Sequence, residues 1–498
     1  MVERRETAHY AFGRSRVGLV GLVLVGALVA AACGSKVDPE SLAATGGAGL
    51  TPYAEDGGGA TGVADAPTDD VVGGAPTPSK TAAATTATPP ASTGGPAGGD
   101  GGGTAEVGVA AGSAVAADGF APGVTADTVR VGMHLPMSIS GLDISSLLPL
   151  EEAVNAYWDA RNREGGIHGR EVEVFIGDDQ YTPSGSVQAC KTLVEQHDVF
   201  FVYGAAGADQ IAACGQYTVG QGRPYLSAGT VEQGLLGNPN YWALTMTYEP
   251  MSALLAEYAV AELDGRDRPM AMLRMNTPNA ESARRGFVTR ARELGAEIAV
   301  DDAVDKDPNP SQLQATCIKM QQEGVELVYM MASGLVMAQA ADACTSQGYS
   351  PQWLGVANTA ACGIEAPLGS ESLDGCITFS ANHHPADSDS ALQQQARADW
   401  KAAYPDEPFP GDEDPLLILV WAISDALREA LEQTGPNLTV ATFNAAMGGL
   451  VYDNQVLNPL DFRDGSHVGG RGVVLWQGDA DAGRLVEIDS TWHLGFGG

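Results

Sequence analysis

The chain has 498 residues, and its 62 acidic and 27 basic side chains give a formal net charge of −35. Nucleic-acid binding needs a basic footprint, so this balance argues against a nucleic-acid partner. It favours solubility and carries no information about the fold.

The first 33 residues have the pattern of an export signal. Four arginines between positions 4 and 16 form a basic start, and an uncharged apolar run occupies 17–32. That run is shorter than the roughly 20 apolar residues that a membrane-spanning helix needs, and small residues precede Cys33 as at a cleavage site. The segment LVAAACGS (28–35) resembles a bacterial lipobox, which implies that Cys33 is acylated. The alternative is an ordinary signal peptide with an incidental cysteine.

Residues 34–121 are of low complexity, with Gly, Ala, Thr and Pro dominant and large apolar residues nearly absent. Such a segment cannot bury enough surface to offset chain entropy, so we interpret it as a flexible tether. Its typical reach is on the order of 50 Å. The Thr and Pro content also permits O-glycosylation.

From residue 122 onward, short apolar runs alternate with helical patterns over roughly 375 residues, too many for one core. The predicted strands are 129–135, 171–177, 199–203, 224–227, 269–274, 297–304, 327–331, 472–476 and 484–488. The predicted helices are 147–162, 184–196, 209–221, 250–263, 281–294, 311–322, 335–347, 416–433 and 440–447. This alternation predicts an α/β protein of two lobes, each a parallel sheet flanked by helices.

No catalytic motif is present. The sequence lacks a GxSxG elbow, an HExxH helix and a P-loop, so we expect neither enzyme activity nor a cofactor. His383, His384 and Asp387 are a candidate metal site, but adjacent histidines point in different directions, and a polar loop between lobes is the favoured interpretation. Asp178 and Asp179 are interpreted as a strand end that caps the next turn.

Six cysteines remain when Cys33 is set aside. An even number in an exported chain suggests disulfides, and six cysteines can pair in fifteen ways. None forms a CxxC motif or a Cys/His cluster, which argues against structural zinc.

Ligands of open α/β sheets bind beyond the carboxyl ends of the strands. Small residues in those loops let backbone N–H groups and helix N-termini reach a polar ligand group. The candidate ligand-contacting residues are Met137, Ser138, Gly207, Ala208, Asp209, Ser227, Gly229, Thr230, Asn279, Ser333 and Asn358. For each of them, the alternative is that the residue simply forms a turn.

Several segments carry a family resemblance: PGVTADTVRVGMHLPMS, REGGIHGREVEVFIGDDQYTPSGSVQACKTLVEQHDVFFVYGAAG, RPYLSAGT, ARRGFVTRARELGAEI, SQGYSPQWLG and FNAAMGGLVYDNQVLNPLDFRDG. In this order they resemble the type I periplasmic solute-binding proteins of branched-chain amino-acid ABC transporters, from about residue 122 to the end. The resemblance implies two Rossmann-like lobes joined as a clamshell by a hinge of three crossings, near Met246, Ser380 and Tyr452. It places lobe 1 at 122–246 and 381–452, and lobe 2 with the hinge strands at 247–380 and 453–498.

The resemblance also implies disulfides. The family often bridges its second helix to the segment after the third strand, which implies Cys190–Cys214. The same logic in the second lobe implies Cys317–Cys344, and Cys362–Cys376 is the remaining pair.

Two departures from the family pattern argue against a free α-amino acid as ligand. Relatives carry a hydroxyl residue for the ligand carboxylate where this chain has Ala208 and Asp209. Relatives carry an acidic residue and a tyrosine for the ammonium group where this chain has 356–358 and Asn279, and an unpaired buried ammonium is costly. The methionines near strand ends favour a less polar or amide-like ligand, unless they are ordinary core residues. They are Met137, Met246, Met275, Met330 and Met331.

The resemblance implies a solute-binding protein of an ABC importer, with separate permease and ATPase subunits as partners. Cys33 would anchor it to the outer face of the cytoplasmic membrane, and the two lobes would close over a small molecule. The alternative function is a sensing module of the same fold that signals to a membrane receptor or enzyme. Neighbouring genes distinguish the two.

Overall fold

The computed structural model describes residues 120–139, 142–143, 145, 149–204, 207–228, 233–305, 307–356, 361–364, 369–412 and 414–496. The predicted signal segment, the acylation site at Cys33 and nearly all of the predicted tether lie outside these residues. So do three predicted ligand contacts, Gly229, Thr230 and Asn358.

Alternating strands and helices make up the described part. The strands are β1 (Thr128–Leu135), β2 (Ser138–Ile139), β3 (Leu142–Asp143), β4 (Glu171–Asp178), β5 (Phe201–Gly204), β6 (Tyr225–Ser227), β7 (Tyr241–Ala243), β8 (Met270–Met275), β9 (Ile298–Val304), β10 (Leu327–Met331), β11 (Gln352–Val356), β12 (Ile377–Ser380), β13 (Val451–Tyr452), β14 (Leu460–Asp461), β15 (Val473–Asp479) and β16 (Arg484–His493). The α-helices are α1 (Leu150–Arg163), α2 (Pro183–Lys191), α3 (Ala208–Gly220), α4 (Tyr248–Glu262), α5 (Pro278–Glu293), α6 (Pro310–Gln322), α7 (Gly334–Thr345), α8 (Ala391–Ala403), α9 (Pro415–Thr434) and α10 (Val440–Gly449).

Two large sheets confirm the predicted fold class. The first has the order β4-β1-β5-β6-β7 and is parallel throughout. The second has the order β16-β15-β12-β11-β10-β8-β9, parallel from β8 to β12 and antiparallel at β15 and β16. Parallel neighbours need long crossovers, which the helices supply.

Successive residues of a strand point to opposite faces of its sheet. Apolar side chains therefore lie on both faces of each sheet, and helices cover both faces. On β1, Val129, Val131 and Met133 enter a core that also contains residues of α1, α8, α9 and α10. The other face of the first sheet packs on α2 and α3. The second sheet packs on α4 and α5 at one face and on α6 and α7 at the other.

The chain passes between the sheets three times: from β7 to α4, from β12 to α8, and from β13 to β15. Backbone hydrogen bonds join these passages, since the N–H of His383 donates to the carbonyl of Val456 at 2.9 Å and that of Asn458 to Ala381 at 2.7 Å. The carbonyl of Ala243 accepts from Gly469 at 2.9 Å. The three passages therefore form one connected hinge; the lobe boundaries given above stay a prediction.

Asn458 is the side chain shared by the three passages, and it is 1% exposed. Its amide nitrogen donates to the carbonyl of Ala381 at 3.2 Å, and its oxygen accepts from the N–H of Arg471 at 3.1 Å. In this orientation the amide oxygen lies 3.3 Å from the carbonyl oxygen of Leu244, which is a contact between two acceptors and not a hydrogen bond. Gly470 completes this contact, because an added Cβ there would come within 2.7 Å of the backbone N of Met246.

Three disulfides are present, and their partners are Cys190–Cys214, Cys317–Cys344 and Cys362–Cys376, as the family resemblance implied. The first joins α2 to α3 beside the first sheet. The second joins α6 to α7 beside the second sheet. In each lobe, a disulfide thus joins two successive helices that lie on the same face of the sheet.

Candidate ligand site

The predicted ligand contacts within the described residues lie at the carboxyl ends of the parallel strands, because neighbouring parallel strands end at the same edge. We call the described segments at these ends the first rim (136–138, 178–182, 207–209 and 227–228) and the second rim (275–279 and 332–334). Their role as ligand contacts stays a prediction.

Asp178 organises the start of the first rim. Its carboxylate accepts from the backbone N–H groups of Met137 at 3.0 Å, Ser138 at 3.1 Å and Gln180 at 2.9 Å. The hydroxyl of Ser138 also donates to it, at 2.5 Å. Asp178 therefore serves the turn, as the sequence indicated, and the hydroxyl hydrogen of Ser138 is already committed.

Gly207, Ala208 and Asp209 begin α3. Gly207 has φ of +81°, which glycine adopts without strain, and the helix has no side-chain cap at this residue. Asp209 is exposed in the first turn. Ser227, in contrast, is fully buried at the end of β6.

The second rim uses hydroxyl groups to cap its helices. The hydroxyl oxygen of Thr277 accepts from the N–H of Ala280 at 3.3 Å, and that of Ser333 accepts from Val336 at 3.4 Å. Asn279 lies in the first turn of α5 and is 7% exposed. Ser333 is exposed at its helix start.

Tyr181 is a first-rim residue that the sequence analysis missed. Its side chain is 49% exposed, and the other exposed large apolar side chains among the described residues are aliphatic. Tyr181 and Gln180 have φ of +53° and +54°. The left-handed region costs an ordinary residue about 1–2 kcal/mol, so the surrounding contacts must hold this backbone in place.

A buried polar chain lies beneath Tyr181 and consists of Asp179, His134 and Tyr225, each 0% exposed. Nδ1 of His134 lies 2.9 Å from one oxygen of Asp179, and Nε2 lies 2.8 Å from the hydroxyl of Tyr225. The other oxygen of Asp179 accepts from the N–H of Tyr181 at 2.9 Å. Burial raises the pKa of Tyr225 well above its usual value, so its hydroxyl keeps its proton.

The sulfurs of Cys190 and Cys214 lie within 4.8 Å of the ring nitrogens of His134. They are joined to each other in a disulfide and are therefore not thiolate ligands. Both ring nitrogens of His134 already have partners. This grouping does not form a metal site in the oxidised chain.

The five methionines near strand ends separate into two groups. Met330 and Met331 are buried core residues of β10. Met137 in the first rim, Met275 in the second rim and Met246 in the first passage are only partly buried. These three offer flexible apolar surface near the predicted site.

His383 and His384 belong to the passage from β12 to α8 and contact the β15–β16 hairpin. Nδ1 of His383 lies 2.8 Å from the carboxylate of Glu487, whose other oxygen accepts from the N–H of His384 at 2.7 Å. Nδ1 of His384 accepts from the N–H of Ala386 at 3.3 Å. These hydrogen bonds agree with the favoured interpretation of a polar loop. Burial lowers the pKa of His384 below its usual value.

A groove of about 450 Å³ lies between Leu236 and the helices α4 and α5. Its charged side chains are paired with each other, for example Arg285 with Glu249 at 3.0 Å and Arg290 with Glu293 at 3.1 Å. None of its lining residues belongs to either rim, and we do not assign the ligand site to it. No helix of the described ranges is long and apolar enough to cross a bilayer.

Several solved structures have the same fold. A fatty acid ABC transporter substrate-binding protein from Thermomonospora curvata is 18% identical, with a TM-score of 0.61 over 75% of this chain and 95% of its own. A solute-binding protein of Rhodopseudomonas palustris BisB5 in complex with 3,4-dihydroxybenzoic acid is 16% identical, with a TM-score of 0.58 over 73% of this chain and 96% of its own. A leucine-binding protein from Thermotoga maritima MSB8 is 15% identical, with a TM-score of 0.58 over 72% and 97%.

A sequence search among curated proteins found no match. A family model described as periplasmic binding protein matches residues 128–483, which include both large sheets up to the start of β16. The two sheets, their flanking helices and the three passages are the architecture that the family resemblance implied. The chain belongs to the periplasmic binding protein family.

Proposed function

We propose that this chain is the extracytoplasmic solute-binding component of an ABC importer and has no catalytic activity of its own. The observation that carries the proposal is the pair of α/β sheets joined by three hydrogen-bonded passages. Two rigid lobes on such a hinge can close over a solute and present the closed form to a permease. The structural neighbours named as ABC transporter proteins support this role.

The ligand we propose is a predominantly apolar organic molecule with a polar end. The described rim segments contain no lysine, arginine or histidine, so a carboxylate there would depend on backbone N–H groups. Met137, Met246 and Met275 supply apolar surface. The neighbours named for a fatty acid and for 3,4-dihydroxybenzoic acid show that the fold accommodates such ligands.

Thermal unfolding of the full-length protein tests both statements. A ligand that binds only the folded protein raises the melting temperature in proportion to occupancy. The panel is benzoate, 3,4-dihydroxybenzoate, decanoate, benzamide and leucine, and we expect stabilisation by at least one of the first four. Stabilisation by leucine alone would overturn the ligand class and leave the binding role intact. No shift with any of these or with a wider solute panel would count against the binding role.

We also propose that Cys33 is lipidated and that the segment 34–121 links the anchor to the folded part. The apolar run 17–32 followed directly by the cysteine supports this. The test is metabolic labelling with a radioactive or alkyne-bearing fatty acid, followed by fractionation. The wild-type chain should take up the label and sediment with membranes, and Cys33→Ala should do neither. Equal labelling of both would refute the anchor.

A further inference from the structure

We propose that Tyr181 forms one wall of the ligand site by stacking on a planar, aromatic part of the ligand. We further infer that Asp179 and His134 act as positioning residues that hold this ring at the first rim. The inference rests on the proposed solute-binding function and names the ligand class more narrowly.

Placement is the first argument. The Tyr181 ring lies against the start of α3, since a Cβ built on Gly207 would be 3.4 Å from its Cε2 atom. Gly207 is one of the candidate ligand contacts predicted from the strand ends, and it directly precedes Ala208 and Asp209, which stand at the position where relatives bind the ligand carboxylate. An aromatic side chain that is 49% exposed therefore sits directly over a predicted ligand-binding loop. Tyrosine and the other aromatics favour offset or edge contacts with a second ring.

The second argument is that the exposure of this ring is built into the fold. Two consecutive non-glycine residues, Gln180 and Tyr181, have left-handed backbones at φ of +54° and +53°. Asp178 accepts the N–H of Gln180 and Asp179 accepts that of Tyr181, both at 2.9 Å. A loop that only needed to close a turn would not require a bulky side chain at such a position.

The third argument is the buried support. A carboxylate only accepts hydrogen bonds, so Nδ1 of His134 carries the proton and donates to Asp179. Nε2 of His134 is then the acceptor for the hydroxyl of Tyr225. All three side chains are 0% exposed and cannot contact a ligand directly, whereas Tyr181, whose N–H donates to Asp179, is exposed. These hydrogen bonds hold the carboxylate of Asp179 in place, and that carboxylate accepts from the backbone N–H of Tyr181.

The test measures binding of benzoate and 3,4-dihydroxybenzoate by calorimetry to the full-length protein. Wild type should bind at least one of them, Tyr181→Ala should weaken that binding at least tenfold, and Tyr181→Phe should retain it within about threefold. Tyr217→Ala removes a partly buried tyrosine of α3 that lies outside both rims and is the matched control, with unchanged affinity expected. If neither aromatic acid binds, or if Tyr181→Ala binds as tightly as wild type, the proposal is wrong. Binding of leucine or decanoate instead would leave the solute-binding function standing.

The proposed role of Asp179 as a positioning residue for Tyr181 is tested separately. Asp179→Ala should weaken binding. Asp179→Asn keeps an oxygen that accepts the N–H of Tyr181, and its NH2 can donate to Nδ1 of His134 when the ring takes the other tautomer and Nε2 donates to the hydroxyl of Tyr225, so this variant should restore most of the binding. In the Tyr181→Ala background, Asp179→Ala should have little further effect on affinity, because it acts through that ring. Additive losses in the double variant would show that Asp179 acts by general destabilisation and would overturn its assigned role.

Discussion

His134 and Gly204 are in close contact inside the first lobe. His134 points from β1 toward α2 and α3, and its ring lies close to Gly204 of β5. A Cβ at Gly204 would overlap Nε2, Cδ2 and Cε1 of that ring. The histidine is held on both sides by hydrogen bonds, so the ring cannot move away freely.

We therefore predict that Gly204→Ala destabilises the protein by about 1–3 kcal/mol, the usual cost of forcing extra volume into a packed core. Urea unfolding measures this. Gly220→Ala is the control, because nothing lies within 4 Å of the Cβ it would add at the end of α3. Equal stability of the two variants would contradict the close approach at Gly204.

At a second histidine the structure predicts a pH dependence. Burial is the main cause that lowers the pKa of His384 below 6.5, and Asp387 and Glu487 oppose it while Arg484 adds to it. The unfolded chain then binds this proton at a higher pH than the folded chain does. The contribution of His384 to stability is complete above pH 6.5 and is lost as the pH falls through its lowered folded pKa.

We expect His384→Asn to reduce the loss of melting temperature on going from pH 7.5 to pH 5, because asparagine can still accept from Ala386 and does not titrate in this range. Arg484 donates to Asp387 at 2.7 Å and lowers the pKa of that carboxyl group below 3.8. Asp387 therefore titrates below the range from pH 5 to pH 7.5. Parallel pH profiles for the variant and wild type would refute the prediction.

Among the elements, those with strong periodicity were predictable and the short or polar ones were not. The strand predicted at 297–304 is Ile298–Val304, and the helix predicted at 311–322 is Pro310–Gln322. The helix predicted at 184–196 is α-helical only as far as Lys191 and ends in a π-helical turn. Sequence periodicity does not distinguish such a turn from a continued α-helix.

Besides the two-residue strands β2, β3, β13 and β14, four elements were missed for identifiable reasons. β7 has only three residues, and β11 and β12 are short strands whose pairing comes from distant partners. Helix α8, Ala391–Ala403, is polar on its outer face, but Ser390 and Gln393 form a capping box that sequence inspection could have found.

The candidate site was predictable to the level of loops. Strand ends located the rims, but Ser227 proved fully buried, and Ser138 and Ser333 use their hydroxyls within the protein. Tyr181 was not predictable, because its exposure depends on a left-handed backbone held by Asp179. That carboxylate in turn depends on His134, 45 residues earlier in the chain.

The disulfide between α6 and α7 gives a prediction about the stability of the folded chain. Replacing Cys317 and Cys344 with serine should lower the free energy of unfolding by about 3 kcal/mol, mainly because the unfolded chain gains freedom. Chemical unfolding without reductant compares the variant with wild type. Adding a thiol reductant should affect wild type more than the variant. Unchanged stability in the variant would show that this bridge does not constrain the unfolded chain.

For the whole molecule, the hinge is the decisive feature, and Asn458 is its central side chain. Removing its amide loses two buried hydrogen bonds, although the carbonyl of Ala381 keeps the N–H of Asn458 and the N–H of Arg471 keeps the carbonyl of Pro459. We predict that Asn458→Ala costs about 1–3 kcal/mol. We also predict faster hydrogen exchange at the N–H groups of His383 and Asn458, whose hydrogen bonds join two passages.

Asn162→Ala is the matched control, because Asn162 makes two hydrogen bonds to the backbone of Val172 inside the first lobe. It should cost a similar amount of stability and speed exchange near Val172 without affecting the hinge amides. If both variants accelerate exchange at the hinge equally, Asn458 has no special role in coupling the lobes.

The order in which the chain visits its two sheets also constrains how it can be made. The first sheet is complete in sequence at β7, yet its covering helices α8, α9 and α10 come only after the second sheet has begun. The second sheet is completed only by β15 and β16, which lie near the carboxyl end of the chain. A polypeptide that emerges with its amino end first cannot finish either half early. Both halves therefore stay incomplete until late in synthesis, and truncation within the last two strands removes the edge that completes the second half.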